Sequence, residues 1–442
     1  MTPISEISLS IPQTVLVLLL CYYMVVTGRP DWVVGIYLST AAWGRPVMLG
    51  PIAHTWIFLV TMIGAAVFYL FKQPGKARIA TLLPGRDRWI VPWMAIWWAW
   101  MLLLMFAFRP DNVMALLRSF LLYAIAPLPI ILLFADDVRR ARNFAIAYLL
   151  ATLIGGFVNL SVLGIPLEYL RLDPTLTRFG IIRLNTQQYH WVSYSWAISL
   201  VFLVALFLQS RQSLIRLLVL IGIALCAYFL LLSGARDAIL SVPVALFFFV
   251  LWALLGSGLS ARRVILLAGV LAITVVFLYQ MAPGLVLRVR EASLLNAVSN
   301  SLTADRGPLW LYGWDVFIGS PLWGSGFTRY VYAHNFFIGT LSDQGLIGMV
   351  FLAGFLVFVV RQTQGVWAGK GTADVAIWRM AFACVILVSL LYNQVTGNPI
   401  SAWEIYWSSV FLWRLGSTIK EPATPETARY GAPVSSSLAQ TS

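Results

Sequence analysis

The feature that most constrains this chain is a pattern repeated from end to end: long apolar runs separated by short connections rich in Arg, Pro and Gly. A helix needs about twenty apolar residues to cross the hydrocarbon layer of a membrane, and many of these runs approach that length. Hydrophobic residues make up 60% of the 442 and charged residues only 11%, whereas about a quarter of a water-soluble domain is charged. The expected fold is an all-α integral membrane protein. Spans are expected near 11–26, 32–43, 56–71, 89–108, 113–134, 144–163, 191–208, 214–232, 238–255, 264–281, 345–360, 377–395 and 400–415. The second run is short for a crossing, so the expected total is about twelve or thirteen.

The net charge of +13 does not point to nucleic acid, because the basic residues are scattered between apolar runs instead of covering one soluble face. They carry an orientation signal instead. Lys and Arg beside spans are retained on the cytoplasmic side. When spans alternate, KQPGKARIATLLPGRDR, DDVRRAR, the turn at 211–216, SARR and the loop at 361–379 share one side. That side is read as cytoplasmic, in a bacterial inner membrane, with the surrounding lipids as the first partners. The opposite, periplasmic side receives the loops at 164–190 and 233–237 and a long segment ending at His334. The side on which the N-terminus lies depends on whether the weak second run crosses. Residues 1–281 therefore read as an N-terminal bundle, 282–344 as a large periplasmic loop, 345–415 as C-terminal spans and 416–442 as a disordered cytoplasmic tail. That tail is polar, rich in small residues and aperiodic. The N-terminal segment lacks the basic region and cleavage site of a signal peptide and is expected to stay attached. Cys21, Cys226 and Cys384 sit singly in apolar runs, so they read as structural and not as metal ligands or disulfides.

The polar chemistry concentrates on the periplasmic side. Arg171, Arg178, Arg183, Arg236, Arg288, Arg290, Arg306 and Arg329 lie there, where the orientation rule should deplete arginine. An anionic ligand or local carboxylates would account for them. A planar guanidinium stays charged and matches phosphate oxygens in bidentate fashion. Arg236 is the sharpest candidate, because SGARDAIL places it where one span turns into the next, and a charge so close to hydrocarbon is costly unless it faces a cavity or a partner. A snorkelling helix-end residue is the plainer alternative. Of the three histidines, His54 and His190 lie at span boundaries and read as interfacial. His334 keeps company with several arginines, which would favour a neutral imidazole able to take a proton from a hydroxyl. Gly345 and Gly348 suggest a face for close helix approach, with Ser342 or Asp343 capping the span that follows. The inferred geometry is a short helix carrying His334, a break near Ser342 and then the span. No Walker loop, zinc-protease helix, nucleophile elbow or carboxylate-rich metal box occurs, so neither a metal nor any other cofactor is expected.

At this point the residues resemble a known family. His334 and Asn335, nine residues, Gly345, two more residues and Gly348 match the pattern of the bacterial O-antigen ligase and O-antigen polymerase superfamily. Arg236 with Leu240 resembles its arginine element, and Arg306-Gly-Pro-Leu-Trp310 followed by SPLWGSGF resembles its approach to the histidine. The resemblance is concentrated between residues 233 and 360. It implies a GT-C-like membrane glycosyltransferase that moves a glycan from undecaprenyl diphosphate to an acceptor hydroxyl, without metal and with inversion. Ligases take lipid A-core as acceptor, whereas polymerases take another lipid-linked repeat, and related enzymes make exopolysaccharide. His334 would activate the acceptor, Arg236 would bind diphosphate, and Arg288 or Arg290 would add a second contact; Arg183 and Arg306 are further candidates. Asp237 or Glu291 is the competing base. The rival classes are a polysaccharide flippase or transporter and a cell-wall glycosyltransferase of the shape, elongation and division group, in which an extracellular aspartate would do the chemistry.

Overall fold

The computed structural model describes residues 7–43, 47–49, 52–77, 86–111, 113–163, 189–233, 235–256, 262, 264–269, 271–272, 307–327, 335–368, 372–396 and 402–417. The chain is an all-α integral membrane protein. Its helices are α1 (Ile11–Thr27), α2 (Pro30–Ser39), α3 (His54–Lys72), α4 (Ile90–Phe108), α5 (Val113–Phe120), α6 (Pro127–Phe134), α7 (Val138–Leu163) and α8 (Tyr189–Gln209). After them come α9 (Ser213–Ser233), α10 (Arg236–Leu255), α11 (Gly307–Gly319), α12 (Phe336–Trp367), α13 (Ala373–Thr396) and α14 (Trp403–Ser417). A π-helical turn, Leu121–Ile125, joins α5 to α6 into one crossing.

Among the described residues, nine helices are long and apolar enough to cross a membrane, against the twelve or thirteen expected. The difference is one of length. α1 has 17 residues, α2 has 10 and α14 has 15, and most of the run expected at 264–281 lies outside the described residues. The core sits on α8, whose span is 89% buried and which packs against α7, α9, α10 and α13. α9 is only 33% buried over its span and turns Leu214, Leu217, Leu218 and Ile221 outward, as a lipid-facing wall does. Cys21, Cys226 and Cys384 are free and buried.

Polar side chains tie many helix ends together at one end of the bundle. Asp31, fully buried, accepts from Arg140 Nη1 at 3.0 Å and Asn143 Nδ2 at 3.0 Å, with Arg29 Nε at 3.6 Å. Asp136 pairs with Lys76 and, at 3.3 Å, with Arg414. Asp87 accepts from Gln362 Nε2 at 2.7 Å and faces Arg361 at 3.7 Å, while Arg379 donates to Gln362 O and Leu412 O. Residues far apart in sequence thus share one arginine-rich end of the bundle.

The short α2 does return the chain across the bundle. It starts at the arginine-rich end and leads through a 3-10 turn, Thr40–Trp43, to a small sheet at the other end. Strand β1 (Ile7–Ser8) pairs parallel with β2 (Val47–Leu49), which pairs antiparallel with β3 (Ile52–Ala53). That sheet departs from the purely helical expectation, and it places the start of the described chain opposite the arginine-rich end. Ten residues suffice because α2 is wrapped by protein and not by lipid. It packs on α7 so closely that a Cβ on Gly35 would lie 2.5 Å from Phe144 O.

Candidate active site

Inside the segment expected as a periplasmic loop, the described residues form a helix, a turn and half of another helix. α12 begins at Asn335, whose backbone is extended (φ −149°, ψ 124°) and whose Oδ1 accepts from Phe337 N and Ile338 N, both at 3.0 Å. Asparagine is among the best helix N-caps because its carbonyl satisfies amides that have no partner within the helix. Sequence reading placed the cap at Ser342 or Asp343, and the structure corrects this. Ser342 Oγ donates back to Gly339 O at 3.2 Å, and Asp343 is 2% exposed, with an Oδ1 that has no partner among the described residues.

The helix breaks at Gly345 (φ 65°, ψ −162°), three residues beyond the expected position. A break strands the carbonyls before it and the amides after it, and residues 342–345 are buried from water that could satisfy them. The turn after α11, residues 320–327, supplies the partners. Ser325 N donates to Ser342 O at 2.7 Å and Gly326 N to Asp343 O at 3.0 Å. Leu346 N donates to Pro321 O at 2.9 Å and Ile347 N to Leu322 O at 3.5 Å. The approach is so close that a Cβ on Gly345 would lie 2.3 Å from Leu322 O, and one on Gly324 (φ 71°) 2.5 Å from Asp343 C. Gly345 therefore serves a backbone crossing and not the helix–helix face read from sequence. Gly348 serves the neighbouring side chain: a Cβ there would lie 2.3 Å from Gln344 Cβ. Gln344 Oε1 in turn accepts from Trp97 Nε1 at 2.8 Å, and both residues are fully buried.

Arg236 is the first residue of α10, whose C-terminal part donates from Trp252 Nε1 to Val366 O near the C-terminus of α12, at 3.3 Å. The two helices run the same way, so the N-termini beginning at Arg236 and Asn335 share the end opposite the arginine-rich one. Leu240 lies one turn into α10 and is 39% exposed, and Asp237 is buried. His334 is joined directly to the cap Asn335 and Arg306 directly to α11, yet both lie outside the described residues, as do Arg171, Arg178, Arg183, Arg288, Arg290, Glu291 and Arg329.

Sequence reasoning also passed over Glu404. It is 3% exposed in the first turn of α14, within electrostatic range of Tyr148 and Tyr194, and its Oε2 has no partner among the described residues. An acid within an apolar run was the available signal.

No curated protein and no solved structure matches the chain. A family model described as O-antigen ligase matches residues 221–353. The match runs from within α9 through Arg236, the 320–327 turn and the Asn335 cap to just past the break at Gly345. Over residues 221–353 the chain is therefore similar to the O-antigen ligase family, a match that supports the O-antigen ligase and polymerase superfamily.

Proposed function

We propose that this protein transfers a glycan from undecaprenyl diphosphate to an acceptor hydroxyl on the periplasmic face of the bacterial inner membrane, with lipid A-core as acceptor. The observation that carries the reading is the family match, which spans the arginine at the head of α10 and the capped, broken helix that follows His334. The arginine-rich end is then cytoplasmic, and Arg236 and Asn335 begin their helices on the opposite, periplasmic side.

In this mechanism His334 takes the proton of the acceptor hydroxyl. The oxygen attacks the anomeric carbon as the bond to the diphosphate oxygen breaks, which inverts that carbon. The diphosphate is already a good leaving group, so the protein's task is to orient the acceptor and neutralise the charge that develops. Arg236, with Arg288 or Arg290, meets that charge, and the positive ends of helix dipoles facing the same side assist. Arg183 and Arg306 are weaker contacts on the same side. None of these steps calls for a metal.

The surface polysaccharide of a strain lacking the protein tests the reading. Bare lipid A-core with long glycan left on the lipid carrier supports ligase activity. Core bearing single repeats would make the protein a polymerase, and intact lipopolysaccharide with lost secreted polymer would make it an exopolysaccharide enzyme. Lipid-linked glycan trapped on the cytoplasmic side would assign it to transport.

A further inference from the structure

The break at Gly345 removes the hydrogen bonds that would hold the first half of α12 in line with the second, so other contacts must set its angle. The 320–327 turn supplies backbone bonds. Ile338 packs on Val316 of α11, and a further pin is a side-chain pair: Gln344, the last residue before the break, accepts from Trp97 of α4. The Trp97 ring also lies 6.0 Å from Phe355 in the second half of α12 and 5.7 Å from Tyr406 of α14. Trp97 therefore touches both sides of the break. Gly348 is the seat of this pin, because any side chain there would collide with Gln344.

We propose that Gln344 and Trp97 are a positioning pair that fixes the angle of the half-helix and, through it, the residue preceding its cap. The proposal rests on the reading that His334 works at the start of this half-helix. From Gln344 to Asn335 is nine residues, a lever of about 14 Å at about 1.5 Å per residue. A tilt of about 5° at the pin moves the far end by about 1 Å, and a displacement of that size costs on the order of 100-fold in rate.

The test compares W97F, Q344L, the double variant and H334A in purified protein in nanodiscs, with transfer from an undecaprenyl-diphosphate-linked glycan as the readout. Each single variant should lower kcat by about 10- to 100-fold while KM for the donor stays within about threefold. The double variant should be no slower than the slower single one, because both remove the same bond. A second readout does not depend on activity: spin labels on F337C and L103C, both at exposed positions, should show a shifted or broadened distance distribution in W97F and in Q344L. Unchanged distances in both variants overturn the proposal, as does a shifted distance with wild-type kcat while H334A is inactive. Multiplied losses in the double variant also count against it. If H334A itself retains wild-type turnover, the proposed function fails, and the pair stands or falls on the distances alone.

Discussion

Replacing Gly345 by alanine is the sharpest test of the broken helix. Its φ of 65° with ψ of −162° lies in a region that only glycine occupies readily, so an L-residue there costs about 1–3 kcal/mol in backbone strain. The new Cβ would also lie 2.3 Å from Leu322 O, 2.5 Å from Leu322 C and 2.7 Å from Gly324 N. These are backbone atoms, so no rotamer change relieves the clash and the 320–327 turn must withdraw. Withdrawal breaks bonds at Leu346, Ile347, Ser325 and Gly326, and each buried group left unpaired costs about 1–3 kcal/mol. Losing even two of the four brings the total to at least about 3 kcal/mol, a large part of a typical stability of about 5–15 kcal/mol. Equilibrium unfolding in mixed micelles measures it, with G319A as the control, because a Cβ on Gly319 meets no atom within 4 Å among the described residues. G319A should match the wild type or gain up to about 1 kcal/mol. If G345A unfolds within about 0.5 kcal/mol of G319A, the account of the break is wrong.

Removing the cap with N335A should cost about 1 kcal/mol in the same assay, and N335D should recover most of it. Asp31 is fully buried, but its partners Arg29 and Arg140 are 39% and 19% exposed. D31A should therefore cost about 2 kcal/mol, less than breaking a pair with both partners buried; a neutral result would show that the network does not hold α2. For sidedness, single cysteines at Ser10 and Asp111 should react with an impermeant thiol reagent from the side opposite to cysteines at Gln73 and Arg361, all four positions being exposed. Labelling of Ser10 and Gln73 from the same side would mean that α1 to α3 do not make three crossings.

Most of the architecture was legible because apolar spans are written in residue type. Long apolar runs and flanking arginines survive any rearrangement of detail, and the ion pairs at Asp87 and Asp136 join segments that loop charge assigns to one side. The exact form of α2 was not legible, since ten residues look too few to cross until α7 is seen lying against Gly35. The broken helix of the candidate site lies in a stretch that the sequence marks out, but its construction was not legible. His334, Asn335, Gly345 and Gly348 were singled out together, yet the two glycines were read as a packing face. Their real partners are the backbone of Leu322 and the side chain of Gln344, and no helical periodicity announces either. SPLWGSGF is hard to read for the same reason: what it contributes is four backbone hydrogen bonds, which leave little trace in side-chain chemistry. The cap at Asn335 was within reach, because asparagine ahead of a helix is a cap signal.

The proposed function requires the half-helix begun at Asn335 to present His334 to an acceptor hydroxyl. Turnover of purified wild-type and H334A protein with an undecaprenyl-diphosphate-linked glycan and lipid A-core tests it most directly. A positioned general base contributes about 100- to 10,000-fold, so H334A should fall by at least about 100-fold while its unfolding stability stays at the wild-type value. Transfer by folded H334A at the wild-type rate would contradict the account.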